Sequence, residues 1–161
     1  MTDFDEADRT ILEMLQKNGR TPYAELGKAV GLAVSSVNER VRKLHERGVI
    51  EGVFSALSPA ALRLDLLAFI FVGWTDPATE APFLARVDAE PAILECHHVT
   101  GTWNYLLKVR TRTTRDLEAF LNAVVKAVPG VQRTETLIVM SSAKETPHLP
   151  LADADWTPSR R

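Results

Sequence analysis

The stretch Gly31-Leu32-Ala33-Val34-Ser35-Ser36-Val37-Asn38-Glu39-Arg40-Val41-Arg42-Lys43-Leu44-His45-Glu46-Arg47-Gly48 decides how the first third of this chain is read. Val37, Val41 and Leu44 recur at i, i+4 and i+7, so a helix over about Val34 to Arg47 buries one stripe and turns its remaining faces to solvent. Those faces carry Ser35, Ser36, Asn38, Glu39, Arg40, Arg42, Lys43, His45 and Arg47. Four Arg/Lys against two Glu give the segment a balance of +2 inside a chain whose formal net charge is −2. Upstream, Gly31-Leu32-Ala33 is a short turn that follows a helix running from near Pro22 to Val30. Two helices joined by three or four residues that include Gly describe a helix-turn-helix. A further helix, Ala7 to Asn18, precedes them, with Asp5 or Asp8 as its cap and Gly19 as its stop. Val49 to Leu57 is β-prone around Gly52 and predicts a small hairpin, the wing.

A helix-turn-helix places the N-terminal part of its second helix in the major groove. Arg and Asn make bidentate bonds to purine edges, while Lys and Ser reach phosphates more often. Ser35, Ser36, Asn38, Glu39 and Arg42 are therefore the residues expected near bases, and Lys43 and Arg47 near the backbone, joined by Arg20 or Lys28. The competing reading of the same pattern is a three-helix structural module with a solvated basic face. The acidic whole-chain balance leans toward that alternative, although phosphate contact needs only a local basic patch.

Outward from this segment the character changes twice. Residues 58–65 read as a linker with one helical turn. From Leu66 the order is strand (Leu66 to Trp74), helix (Ala81 to Ala89), strands (Ile93 to Thr100 and Tyr105 to Thr111), helix (Thr114 to Val128) and a last long strand (Val131 to Ala143). That βαββαβ order is the ferredoxin-like arrangement. The expected fold is thus α+β, a winged helix-turn-helix over 1–57 followed by a ferredoxin-like domain over 66–144. Residues 145–161 hold three prolines and predict a mobile tail, with Trp156 available to dock on a neighbour.

Several function classes are excluded or disfavoured. A single cysteine, Cys96, rules out a disulfide within the chain and fits a reducing cytoplasm. The acidic start lacks the blocks of a signal peptide, and the longest apolar run, Leu66 to Gly73, is too short to span a bilayer. Cys96-His97-His98 invites a metal or nucleophile reading. On a strand only Cys96 and His98 share a face, and two ligands do not make a zinc site. No cofactor and no enzymatic activity are expected.

The quoted stretch, continued through Val49 and Ile50, resembles the recognition helix and wing entry of the Lrp/AsnC family. So does the opening Asp5-Glu6-Ala7-Asp8-Arg9-Thr10-Ile11-Leu12. The second half is similar through Glu95-Cys96-His97-His98-Val99-Thr100-Gly101-Thr102-Trp103-Asn104-Tyr105-Leu106-Leu107-Lys108-Val109, then Pro129-Gly130-Val131 and Thr134-Glu135-Thr136-Leu137-Ile138-Val139-Met140. These segments stand in the family's own order over about residues 3–145. The resemblance implies a DNA-binding transcriptional regulator whose second domain pairs between subunits, forming homodimers that assemble further, up to octamers. It also implies a small amino acid effector held between subunits, near the loop joining the second and third strands. The effector residues so implied are Val99, Thr100, Gly101, Thr102, Trp103, Asn104 and Tyr105, with Thr134 and Thr136 from the last strand.

Two departures from the family pattern stand out. Ala33 occupies the place where relatives usually have the Ser that caps the recognition helix. Ser35 or Ser36 is the substitute cap, since Ser36-Val37-Asn38-Glu39 has capping-box form. Thr102 and Asn104 are uncharged where many relatives carry an acid, which leaves a ligand's ammonium group without a counter-charge unless Glu135 supplies one. Beside the ligand-tuned regulator stand an effector-independent architectural protein that wraps DNA and a small-molecule module with a vestigial helix-turn-helix.

Overall fold

Asp5 accepts the backbone N–H of Asp8 at 2.9 Å, and the Asp8 carboxylate faces back toward the amide of Asp5, so a reciprocal capping box starts helix α1 (Glu6–Lys17). The computed structural model describes residues 4–153. Helix α2 (Tyr23–Val30) follows Pro22, and Gly31 ends it in the left-handed region at φ 69°. The turn into α3 (Val34–Glu46) is tight because Gly27 carries no side chain. A Cβ there would stand 2.6 Å from the Leu32 carbonyl oxygen, and the Leu32 amide donates to Gly27 at 2.9 Å. Ile11, Leu12, Leu26, Val37, Val41 and Leu44 form the core of this three-helix unit. Truncating one of these large side chains to Ala costs about 2–5 kcal/mol.

The hairpin expected over Val49 to Leu57 is not formed, and no described residue of that segment pairs in a sheet. The amides of Val49 and Ile50 both return to the Leu44 carbonyl, at 2.9 and 3.2 Å, and so finish the helix rather than open a ladder. Beyond them Val53 and Phe54 are exposed. The expected tail also differs over its described part. The Gln16 side chain donates to the Leu149 carbonyl at 3.2 Å and accepts the Leu149 amide at 2.7 Å, while Leu151 packs against the helical core. Residues 4–56 and 145–153 therefore make one compact unit, and Leu57–Lys144 makes the other. Trp156 lies outside the described residues. Residues 58–64 form a compact turn, with the Leu64 amide bonded to Pro59 at 2.8 Å.

In the second unit, strands β1 (Leu66–Gly73), β2 (Ile93–His98), β3 (Tyr105–Thr111) and β4 (Arg133–Ile138) form one antiparallel sheet in the order β2-β3-β1-β4. Helices α4 (Glu80–Asp88) and α5 (Thr114–Phe120) supply the two crossovers, as expected for the ferredoxin-like arrangement. The α5 path continues as one π-helical turn over Leu121–Val125. The strands obey period two. Ala68, Ile70 and Val72 of β1 and Tyr105, Leu107 and Val109 of β3 join Phe83, Leu117, Phe120, Val124 and Val125 in one buried cluster. The opposite face of the sheet presents Phe69, Phe71, Leu106 and Leu137, none of them fully buried. β4 ends at Ile138 rather than running to Ala143. Its last backbone bond, the Val139 amide to Leu67 at 2.9 Å, reaches the start of β1, and no partner strand extends further.

Candidate functional site

α3 has three longitudinal stripes, and burial assigns them. Val37, Val41 and Leu44 face the core. Directly opposite, Ser35, Glu39, Arg42 and Glu46 recur at i, i+4, i+7 and i+11 on the exposed side. To one side lie Ser36, Arg40, Lys43 and Arg47, which line a shallow concavity together with Asp5 and Asp8. Asn38 flanks the outward stripe on the other side. All seven residues expected at DNA, namely Ser35, Ser36, Asn38, Glu39, Arg42, Lys43 and Arg47, are exposed.

Their partners differ from a freely presented basic face. Arg42 donates to Glu39 from Nη2 at 2.7 Å and from Nε at 3.0 Å, and its Nη1 meets Glu46. Lys43 Nζ lies 3.2 Å from the same Glu39 carboxylate. Hydrogen bonds from Arg42, then from Lys43, hold the Glu39 carboxyl down at about 2. The Arg47 guanidinium sits 4.0 Å over the Phe4 ring. Arg40 turns away from the outward stripe and pairs with Asp5 and Asp8, each at 2.8 Å. The Glu46 partner was legible in the i+4 spacing from Arg42 and was not used in the sequence reading.

The substitute cap is not made. α3 begins at Val34 behind Ala33, with no side chain on its terminal amides, so neither Ser35 nor Ser36 delays the helix start. Both hydroxyls stand inside the first turn instead.

In the second unit β2 ends at His98 rather than Thr100, and the loop after it is closed by the Val99 amide on the Asn104 carbonyl at 3.0 Å. The Asn104 amide bonds Val72 at 3.0 Å, and the Asn104 side-chain oxygen accepts the Trp74 amide at 2.8 Å. Thr100, Gly101 and Thr102 are exposed at the tip, with Gly101 at φ 104°. Trp103 lies on the open side of the sheet beside Phe71, ring centroids 5.8 Å apart, with the Arg133 guanidinium 4.6 Å above it. Arg133 also donates to the Thr102 carbonyl. Gly73 makes room for this stack: a Cβ there would meet Arg133 Nε at 2.7 Å and Trp103 at 3.2 Å.

The nine expected effector residues do not converge within one chain. The register pairs Val72 with Tyr105 on one side and Thr134 on the other, and Ile70 with Thr136. Tyr105, Thr134 and Thr136 therefore face the helices, with Val72 standing between Tyr105 and Thr134, roughly 10 Å apart. Trp103, Arg133 and Glu135 belong to the other face. Tyr105 is buried, donates its hydroxyl to Glu80 at 2.7 Å and stacks on Trp74 and His98. Burial, then the bond to Glu80, pushes its pKa up to about 12. Arg133, Glu80 and Phe71 are the neighbours of the loop that sequence reading missed. The alternation along β4 carried the signal for Arg133, but only a known register says which face the loop occupies. Cys96 is half-buried on the helix-facing side, and burial pushes its thiol up. His97 points the other way, 3.2 Å from Glu95.

Comparison with known proteins follows the same division. A family described as winged helix-turn-helix DNA-binding matches residues 4–51, and the Lrp/AsnC ligand binding domain matches residues 67–149. The chain is 37% identical over 148 residues to the HTH-type transcriptional regulator FL11 of Pyrococcus abyssi, covering 92% of this chain and 97% of the relative. It is 38% identical to the leucine-responsive regulatory protein of Salmonella typhimurium, covering 91% of each. Among solved structures, a transcriptional regulator of Neisseria meningitidis in complex with L-Met superposes with a TM-score of 0.88 at 32% identity, covering 92% of this chain and 97% of that one. AsnC of E. coli gives 0.83 at 32% identity, covering 88% and 95%.

Proposed function

The chain belongs to the Lrp/AsnC family of DNA-binding transcriptional regulators, and from that premise we propose that it reads operators with the outward stripe of α3 and is tuned by a small amino acid at the loop around Gly101. The observation that carries the first part is the geometry of α3. Ser35, Glu39 and Arg42 stand opposite the buried stripe, flanked by Asn38 and Lys43, which is the placement a major groove requires. Ser36 and Arg47 lie to one side, where backbone contacts fall.

The effector part rests on the ligand-binding domain and on the L-Met complex of the Neisseria regulator. Val99 to Asn104 supplies the site, with Arg133 as the cation for a carboxylate. Thr134 and Thr136 take the other face of the sheet within one chain, so they join this site only from a second subunit. The apolar open face of the sheet, with Phe69, Phe71 and Leu137, suits pairing between two subunits. A dimer doubles the contacts on a near-palindromic site, and higher assembly extends them. No described helix is long and apolar enough to cross a membrane. The reading is non-enzymatic and places the protein with the DNA it regulates, in the cytoplasm.

Binding-site selection on random duplex DNA, with and without an amino acid mixture, tests this reading. Selected sites should bind at least ~10³-fold more tightly than random DNA. Equal affinity for both would leave the second reading, an architectural protein that needs no effector. One observation favours that alternative: Asn104 spends its side-chain oxygen on Trp74 rather than offering it to a ligand.

A further inference from the structure

One carboxylate holds two cations on the face of α3 that points away from the core. Glu39 takes Arg42 fork to fork, through Oε1 at 2.7 Å and Oε2 at 3.0 Å, and takes Lys43 on Oε1 at 3.2 Å. The guanidinium is thereby fixed in one plane beside the carboxylate, with Glu46 on its remaining edge. Stability does not account for this arrangement. All four side chains are about half exposed, and exposed pairs of this kind contribute little to folding.

A carboxylate aimed at DNA has a narrow set of acceptable partners. It accepts hydrogen bonds and donates none, so phosphates, guanine O6 and N7, and thymine O4 all repel it. In the major groove the amino groups of cytosine (N4) and adenine (N6) can donate to it. The N7 acceptor beside adenine N6 repels a carboxylate, so cytosine is the better match, whereas Arg reads guanine through O6 and N7. Resting on the reading of α3 as the base-contacting helix, we propose that Glu39 is a specificity-determining residue that selects cytosine and orients Arg42 onto an adjacent guanine. The same carboxylate holds back non-specific binding, because it neutralises part of the charge that Arg42 and Lys43 would otherwise bring to any phosphate.

The test compares the full chain with its Glu39→Gln variant on a selected operator and on random duplex, across a salt series. Glutamine keeps the size and loses the charge, and circular dichroism confirms that the exposed substitution leaves the helices intact. The expected result is stronger binding to random DNA at low salt and a steeper salt dependence. The selected-to-random ratio should fall about tenfold, and repeated selection should lose cytosine at one position. An unchanged ratio and unchanged base preference would overturn the proposal, and so would an equal rise in affinity for both DNAs, which is a charge effect without readout. A wild-type chain with no preference for any site would overturn the base-reading role of α3 itself, and this proposal with it.

Discussion

Arg40 of α3 reaches back to Asp8 of α1, Nη1 to Oδ1 at 2.8 Å, and so ties the recognition helix to the first helix of its unit. The Asp8 side chain is only 11% exposed, which makes the missing partner costly. Arg40→Ala is expected to destabilise the helical unit by about 1–3 kcal/mol, the cost of leaving a buried acceptor unpaired. Asp8→Ala combined with Arg40→Ala should recover part of that loss. Chemical denaturation followed by circular dichroism checks both, and additive losses would refute the coupling.

Asp5 gives the same unit a pH dependence of known sign. The Asp8 amide, and after it Arg40, holds the Asp5 carboxyl below its ordinary 3.8. A carboxyl depressed in the folded state contributes stability above its unfolded value and loses it as pH falls through the folded one. Melting temperature should therefore drop below about pH 3.8. Asp5→Asn, which keeps a capping oxygen and cannot ionise, should flatten that part of the curve. Parallel curves for the two proteins over pH 2–6 would show that Asp5 does not contribute through its charge.

Ala33 leaves the first turn of α3 uncapped although its backbone, at φ −65° and ψ 150°, already has the extended conformation of an N-cap. Ala33→Ser should stabilise the helical unit by roughly 0.5–2 kcal/mol. A denaturation midpoint unchanged from wild type would mean that water serves these amides equally well.

Trp103 reports on the loop where the effector is proposed to bind. With the Arg133 guanidinium 4.6 Å over its ring, Arg133→Ala should increase acrylamide quenching of this indole. The stability cost should stay within about 0.5–1 kcal/mol, the value of an exposed cation–π contact. Subtracting the signal of a Trp103→Phe chain isolates the indole, and quenching equal to wild type would count against the stacked geometry.

How legible these features were depended on whether a residue's partners lay nearby in sequence. The three N-terminal helices were readable because caps, periodicity and glycine stops all act within a turn or two: Asp5, Gly31 and the stripe Val37, Val41 and Leu44 stand where expected. The order of strands and helices after Leu66 was readable for the same reason. The hairpin at Val49 to Leu57 was misread because β-propensity says nothing about whether a partner strand exists, and the Val49 and Ile50 amides were already committed to Leu44. Thr134 and Thr136 came to the effector site through the family resemblance, and sequence alone does not say which face of the sheet they take. Only the pairing of Val72 with Thr134 shows which way they face. The Glu39–Arg42–Glu46 alignment was available from spacing alone, yet its meaning depends on the stripe being the one opposite the core.

The bond between Gln16 and Leu149, with Leu151 against the helical core, has a consequence for the order in which the protein is made. Ribosomes release a chain from its N-terminus, so α1 to α3 emerge first. The segment that completes their packing emerges only after the whole second unit, Leu57–Lys144, has been translated. The DNA-binding unit is therefore begun before the sheet unit and completed after it, and a nascent chain stalled before residue 149 carries a helix-turn-helix that lacks the Gln16–Leu149 contact.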